Sequence, residues 1–312
     1  MRPVCCVTSD LHLPGAAEAV LGHVARLNRK GEVREVVLVG DRTIEPDLAK
    51  TGGRNLLREA KERAKAAGLS VVEEEERLWQ GAEGPVLVEQ WLGAVERTAE
   101  LHLYCEYLVR SGALPRLVDT GGNDADKERR VVRAAELAGR EGLSLLAILA
   151  RSFAFRRVGG VEQRLAGETL AIDIPYLAGG KAELKRLAQE TAAVLAANQP
   201  NAKYLTTIVF RAHLNSDPAL RREPHCAWYQ EVFALARRLY PLAELIHVCG
   251  HSHKLPEPYR FGEVLVVPVG YGKEDATQRL LVMDYFDRRG WWLLDFDIAG
   301  NRLLRERKLG QP

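Results

Sequence analysis

The chain has 312 residues, 46% hydrophobic and 28% charged, with a formal net charge of +2. That length and apolar share suit one large domain or two small ones and exclude a disordered chain. Near-neutral charge gives no indication of a nucleic-acid binder, whose basic excess is usually larger or more clustered.

Val4 to Val7 reads as a short buried strand, followed by a polar loop from Ser9 to Gly15. It is too short for the apolar region of a signal peptide. No later stretch approaches the ~18 apolar residues of a membrane span. Five cysteines, Cys5, Cys6, Cys105, Cys226 and Cys249, include no CxxC pair. Free thiols in a reducing compartment are expected, and with them a soluble cytoplasmic protein without a membrane partner.

Ala16 to Asn28 has helical periodicity, with Val20, Val24 and Leu27 on one face. Val33 to Val39 reads as a second buried strand that ends at Gly40-Asp41. From Leu48 to Arg110 the pattern is largely helical, with segments at Arg54–Ala67 and Val88–Arg110. Within it, Glu73 to Arg77 is a charge run, expected to be a solvated face. A single domain over residues 1–312, with a helical insertion or cap at 48–112, is the expected organisation.

Pro115 to Asp119 returns to strand before the Gly121-Gly122 turn, and Asp126 to Arg140 is helical. Leu145 to Ile174 alternates like strands, broken by Gly159-Gly160 and Gly167 into hairpins. Ala182–Ala197 and Trp228–Leu239 are helices. Tyr204–Phe210 and Leu245–Val248 are strands that lead to His213 and to His251. Val264–Val269, Arg279–Met283 and Trp291–Phe296 close the chain as three strands, with Asp287 to Gly290 as a hairpin turn between the last two.

Polar groups collect where these strands end, which is where open α/β sheets place their chemistry. Asp10 and His12 follow the first strand and, two residues apart, share a face in extended geometry. Asp41 adds a carboxylate after the second. Asn123 offers an amide oxygen after Gly121-Gly122, and His213 ends another strand. His251 and His253 repeat the two-residue spacing with imidazoles, behind Gly250. Carboxylates suit hard divalent ions, and imidazole suits borderline ones. The remaining histidines, His23, His102, His225 and His247, fall in helix, loop or strand interior and read as surface or packed residues.

The ordered series SDLH at Ser9–His12, GD at Gly40–Asp41, GND at Gly122–Asp124, AH at Ala212–His213 and GHSH at Gly250–His253 resembles the calcineurin-like metallophosphoesterases. The motifs span residues 9 to 253 in the family's order. The resemblance implies a four-layer α/β/β/α sandwich of two mixed sheets. It implies a metal-dependent phosphoric ester hydrolase with two divalent ions, manganese first among them and iron or zinc also suited. Asp10, His12 and His253 would hold one ion. Asn123, His213 and His251 would hold the other, and Asp41 would bridge them. A bridging water would become hydroxide and attack a phosphodiester or phosphomonoester, nucleotide-like esters included.

The chain departs from the family's pattern at Asp124, where a histidine that protonates the leaving oxygen is usual. An aspartate, with a reference pKa near 3.9, is ordinarily ionised and repels phosphate. Three readings stay open: Asp124 orients Asn123 or another ligand, Asp124 is an acid with a raised pKa, or the site is impaired and the protein serves as a scaffold. Arg42 is also unusual. It could grip a substrate phosphate, or pair with Glu45 or Asp47. Tyr271, in Gly270-Tyr271-Gly272, could stack on a base or simply pack. A nuclease using the same centre is the alternative activity.

Overall fold

A computed structural model describes residues 4–12, 14–44, 46, 54–122, 124–139, 152–176, 181–216, 225–287, 290–299 and 301–309. The first and last strand-rich segments of the chain form one mixed sheet, and the segment between them forms a second. The first sheet begins with β1 (Val4–Thr8), β2 (Val33–Leu38), β3 (Leu117–Asp119) and β4 (Phe155–Arg157). These four run parallel to one another. The second sheet holds β5 (Glu162–Ala166), β6 (Thr169–Asp173), β7 (Thr207–Arg211), β8 (Glu244–Cys249), β9 (Tyr259–Phe261) and β10 (Val264–Pro268). Its central strands β6, β7, β8 and β10 are parallel, and antiparallel β5 and β9 form its edges. The chain then returns to the first sheet with β11 (Gly270–Gly272), β12 (Thr277–Asp284), β13 (Trp292–Asp297) and β14 (Arg302–Lys308). The first sheet's order is β14-β13-β12-β1-β2-β3-β4, with β11 paired to β12.

The period of two along each strand sends alternate side chains to opposite faces. Inward residues from both sheets form one shared core: Cys5, Val7, Val37 and Leu281 from the first, Val209, Ile246 and Val248 from the second. The outer face of the second sheet is covered by α6 (Lys181–Asn198) and α7 (His225–Leu239). Leu187, Leu195, Trp228 and Phe233 of these helices pack on Ile172, Ile208 and Phe210. The first sheet is covered by α1 (Pro14–Leu27), with the His23 ring 5.2 Å from Phe296. The result is the α/β/β/α sandwich. These strands and helices belong to one compact unit, made of residues 1–42, 104–123 and 153–312.

A second compact unit comprises residues 43–103 and 124–152. It contains α2 (Leu56–Ala67), α3 (Val71–Gln80), the part of α4 (Gly84–Arg110) up to Leu103, and α5 (Asp124–Leu137). Asn55 and Ser70 cap α2 and α3 by accepting from the amides of Arg58 and Glu73. Leu57, Trp79, Trp91 and Val131 form its core. The acidic run in α3 does not behave as a solvated face throughout. Glu75 is 4% exposed and receives the Arg130 and Arg129 guanidiniums. Charge patterning alone misses it, because its partners lie more than fifty residues away.

Cys5, Cys6, Cys105 and Cys249 are buried and are not joined in disulfides. Among the described residues no helix is long and apolar enough to cross a membrane. The expected strand pattern over 145–151 and the Arg288-Arg289 turn lie outside the described residues. The expected strand at Tyr204–Phe210 is shifted: Gln199–Tyr204 forms a 3₁₀ turn, and β7 begins at Thr207. Strand β14 was not anticipated, because its first five residues, Arg302 to Glu306, are all exposed and lack the half-buried pattern.

Trp291 is fully buried in the inter-sheet core and donates from Nε1 to the Asp284 carbonyl at 2.8 Å. Trp291→Ala is expected to cost about 3–5 kcal/mol. Trp291→Phe retains most of the ring packing and costs clearly less. Urea denaturation of the two variants checks both the size and the order.

Candidate metal centre

Five chain segments leave the C-terminal ends of β1, β2, β3, β7 and β8 on the first unit, and the candidate ligands sit on them. The Asp10 carboxylate is central. Its Oδ1 lies 3.7 Å from His12 Nε2, 3.8 Å from His253 Nε2 and 3.9 Å from His213 Nδ1. Its Oδ2 accepts from Ser9 Oγ at 2.6 Å and from the His251 amide at 2.8 Å. Asp10 is 1% exposed, and its Oδ1 has no hydrogen-bond partner. Burial alone raises the pKa of this carboxyl, but the neighbouring His12, His213 and His253 outweigh it and hold the group well below the usual range.

Asp41 faces both ways. Its Oδ2 is 3.8 Å from His12 Nε2, and its Oδ1 is 3.7 Å from His213 Nε2. The Nδ1 of His213 lies 3.2 Å from the Val39 carbonyl. A neutral imidazole with its proton on Nδ1 would donate there and turn the Nε2 lone pair to the Asp41 side. His12 Nε2 and His253 Nε2 approach to 2.9 Å. Two groups of donors therefore converge, Asp10 with His12 and His253, and Asp10 with Asp41 and His213. His251 belongs to neither group. Its ring packs edge-on to His213, with centroids 4.5 Å apart.

The backbone bends sharply to achieve this. Asp10, His251 and His253 have φ of 51°, 68° and 50°, in the left-handed region that non-glycine residues avoid. Each costs roughly 1–3 kcal/mol, and such strain collects at functional sites. Space is equally tight. A Cβ at Gly250 would run into Ser9 and Asp10 Oδ2, and one at Gly122 into the Asp41 carboxylate. These glycines are the reason the loops can close on the carboxylates.

A divalent ion fits this donor set. Ligands at about 2.0–2.2 Å from one centre stand roughly 3–4 Å from each other, the range in which these donors lie. The partnerless Oδ1 of Asp10 is costly where it is and would be satisfied by a cation. The cluster is a candidate metal-binding site on those grounds.

Other expected site residues are placed differently. Asn123 lies outside the described residues. Asp124 starts α5, but its side chain is not among those described. Arg42 is buried, with Nη1 3.5 Å from Asp119 Oδ2 and the guanidinium 5.1 Å from the Phe155 ring. Glu45 and Asp47, its other suggested partners, lie outside the described residues. Tyr271 packs at the rim, its ring 5.7 Å from His253 and 6.3 Å from His12. Sequence reasoning missed Ser9 and Asp119 as contributors. Ser9 Oγ bridges Asp10 and the Val39 carbonyl. Asp119 Oδ1 accepts from the Gly121 amide at 2.7 Å, which shapes the turn before Gly122. A small hydroxyl hemmed by glycine-containing motifs was the available signal for Ser9.

No family model and no curated protein sequence matches the chain. Among solved structures, GAP50, the anchor in the inner membrane complex of Plasmodium, is similar at a TM-score of 0.50 and 9% identity, over 98% of this chain and 88% of that one. A purple acid phosphatase from yellow lupin seeds is similar at 0.44 and 11%, over 98% of this chain and 53% of that one. YfcE, a phosphoesterase from E. coli, is similar at 0.33 and 13%, over 97% and 98%. At such identities the likeness is one of fold.

Gly250→Ala forces Ser9 and Asp10 out of place while leaving the sheets intact. The variant is expected to fold and to bind Mn²⁺ about 10–100-fold more weakly than the native chain. Isothermal titration beside a circular dichroism spectrum checks this.

Proposed function

We propose that the chain is a dinuclear metal-dependent phosphoesterase of the calcineurin-like type, hydrolysing a phosphodiester or phosphomonoester. The observation that carries this reading is the convergence of two buried carboxylates and three imidazoles into two overlapping donor groups. Asp10, His12 and His253 hold one ion. Asp41 and His213, beside the shared Asp10, would hold the second, with Asn123 and His251 as the further ligands that the family resemblance implies, and Asp41 would serve both ions. Manganese, iron and zinc all suit these ligands. When bound, such a pair supplies an activated water and neutralises charge on the phosphoryl oxygens.

The chain's own groups prepare the site for that task. Ser9 and the His251 amide hold Asp10 by one oxygen and leave the other for the ion. The Val39 carbonyl holds the His213 ring by its Nδ1 side. Tyr271 lies at the rim, where an ester's organic group would enter. Asp124, in place of the usual histidine, offers no obvious proton donor at neutral pH. Esters with good leaving groups are therefore the favoured substrates, since a general acid is worth roughly 10²–10⁴-fold.

Purified protein with Mn²⁺ is expected to hydrolyse bis-p-nitrophenyl phosphate or p-nitrophenyl phosphate and to lose that activity with a chelator. Two bound ions with no turnover of either ester would remove the catalytic reading. Asp41→Asn is expected to lower kcat/KM by at least about 100-fold and to weaken both ions, because one carboxylate serves both. His12→Ala is expected to weaken mainly one. Metal analysis alongside kinetics distinguishes the two variants, and full metal content in Asp41→Asn would overturn the bridging role.

A further inference from the structure

Arg211 is the last residue of β7 and is fully buried. It lies two residues before His213, which follows the strand, and its side chain reaches the first sheet. Its guanidinium forks onto Asp173 of β6, with Nε and Nη2 each 2.7 Å from a carboxylate oxygen. Nη1 crosses to the first sheet. It reaches Glu35 Oε2 of β2 at 3.1 Å, the Tyr285 hydroxyl at 2.8 Å and Cys5 Sγ of β1 at 3.2 Å. Tyr285 donates to the same Glu35 oxygen at 2.7 Å, and Arg164 of β5 meets the other at 2.9 Å. An arginine whose contacts lie on β1, β2, β6 and near the end of β12 is a polar tie through an otherwise apolar core.

Ties of this kind are poor sources of net stability, because the charges must be desolvated. Their best-attested use is to fix register between packed elements, since a slipped arrangement strands a buried charge. The residue whose register matters most here is His213. It leaves β7, while its counterpart Asp41 leaves β2, and the two stand 3.7 Å apart. No covalent link sets that distance; the packing of β7 against β2 does. Glu35 lies on β2 and Arg211 on β7, so the tie joins the same two strands.

We propose that Arg211 is a positioning residue for the candidate metal centre: through Glu35 and Asp173 it sets the spacing between β7 and β2, and thereby the geometry of the ion position shared by His213 and Asp41. The proposal rests on the reading of this cluster as a two-ion centre. The position built on Asp10, His12 and His253 depends on it less, because its donors leave β1 and β8 and none leaves β7.

The test loads the full chain with Mn²⁺ and compares the native protein with Arg211→Lys, which keeps the charge and loses the fork. A triple variant, Arg211→Met with Glu35→Gln and Asp173→Asn, removes the charges altogether. Asp173→Asn alone is the milder change should either fail to fold. The native chain is expected to take up two ions with the electron paramagnetic resonance signature of a coupled pair. Arg211→Lys and Asp173→Asn are expected to bind the second ion at least about tenfold more weakly and to show an isolated-ion spectrum. The first ion's affinity should change less than twofold. The triple variant is expected to regain thermal stability without regaining the coupled signal, which separates positioning from a merely structural role. Native affinity and coupling in any folded variant overturns the proposal while leaving the two-ion centre standing. A native chain that takes up no second ion overturns both.

Discussion

Asp10, His12 and Asp41 leave one sheet, and His213, His251 and His253 leave the other. Every distance in the candidate metal centre that joins these sets is therefore a distance between sheets. Neither sheet holds a complete donor group. The apolar layer between them, with Val37, Val209, Val248 and Leu281 in contact, sets their separation. Packed cores resist small displacements because interiors are close-packed. That stiffness is what lets donors from remote parts of the chain meet within 4 Å.

Within that frame the loops carry the strain. Three left-handed residues and a partnerless buried carboxylate oxygen are unfavourable features that the fold must offset. The offsets are local and visible. Leu11 donates to the Asp41 carbonyl, the His251 amide to Asp10, and the Lys273 amide to the His253 carbonyl. Each bond ties one strained loop to another or to a strand. Together they hold the donor side chains before any ion arrives, which reduces the ordering cost of binding.

Much of this was legible in the sequence. Short runs of apolar residues ending in Asp or His marked five strand ends, and the two-residue spacing of Asp10 with His12 and of His251 with His253 marked shared faces. What was not legible depends on partners far away in the chain. Glu75 looked solvated because Arg129 and Arg130 are more than fifty residues off. Arg42 carried two readings, and its partner Asp119 was in neither of them. Strand β14 has no buried stripe to betray it, because it lies at the edge of its sheet. The left-handed φ of Asp10 has no signature in Asp10 itself.

Charge gives the last constraint. Two divalent ions would bring four positive charges to a pocket whose described ligands include two carboxylates, Asp10 and Asp41. Two nearby arginines do not add to that excess. Arg42 is matched by Asp119, and Arg211 by Asp173 and Glu35. A loaded centre would thus keep a surplus of positive charge that favours deprotonation of a bound water and the approach of an anion. Under the proposed function that anion would be a phosphate ester, and low local dielectric would strengthen the attraction. The pairing of the arginines would therefore keep the pull on the anion at the ions instead of spreading it along the walls of the site.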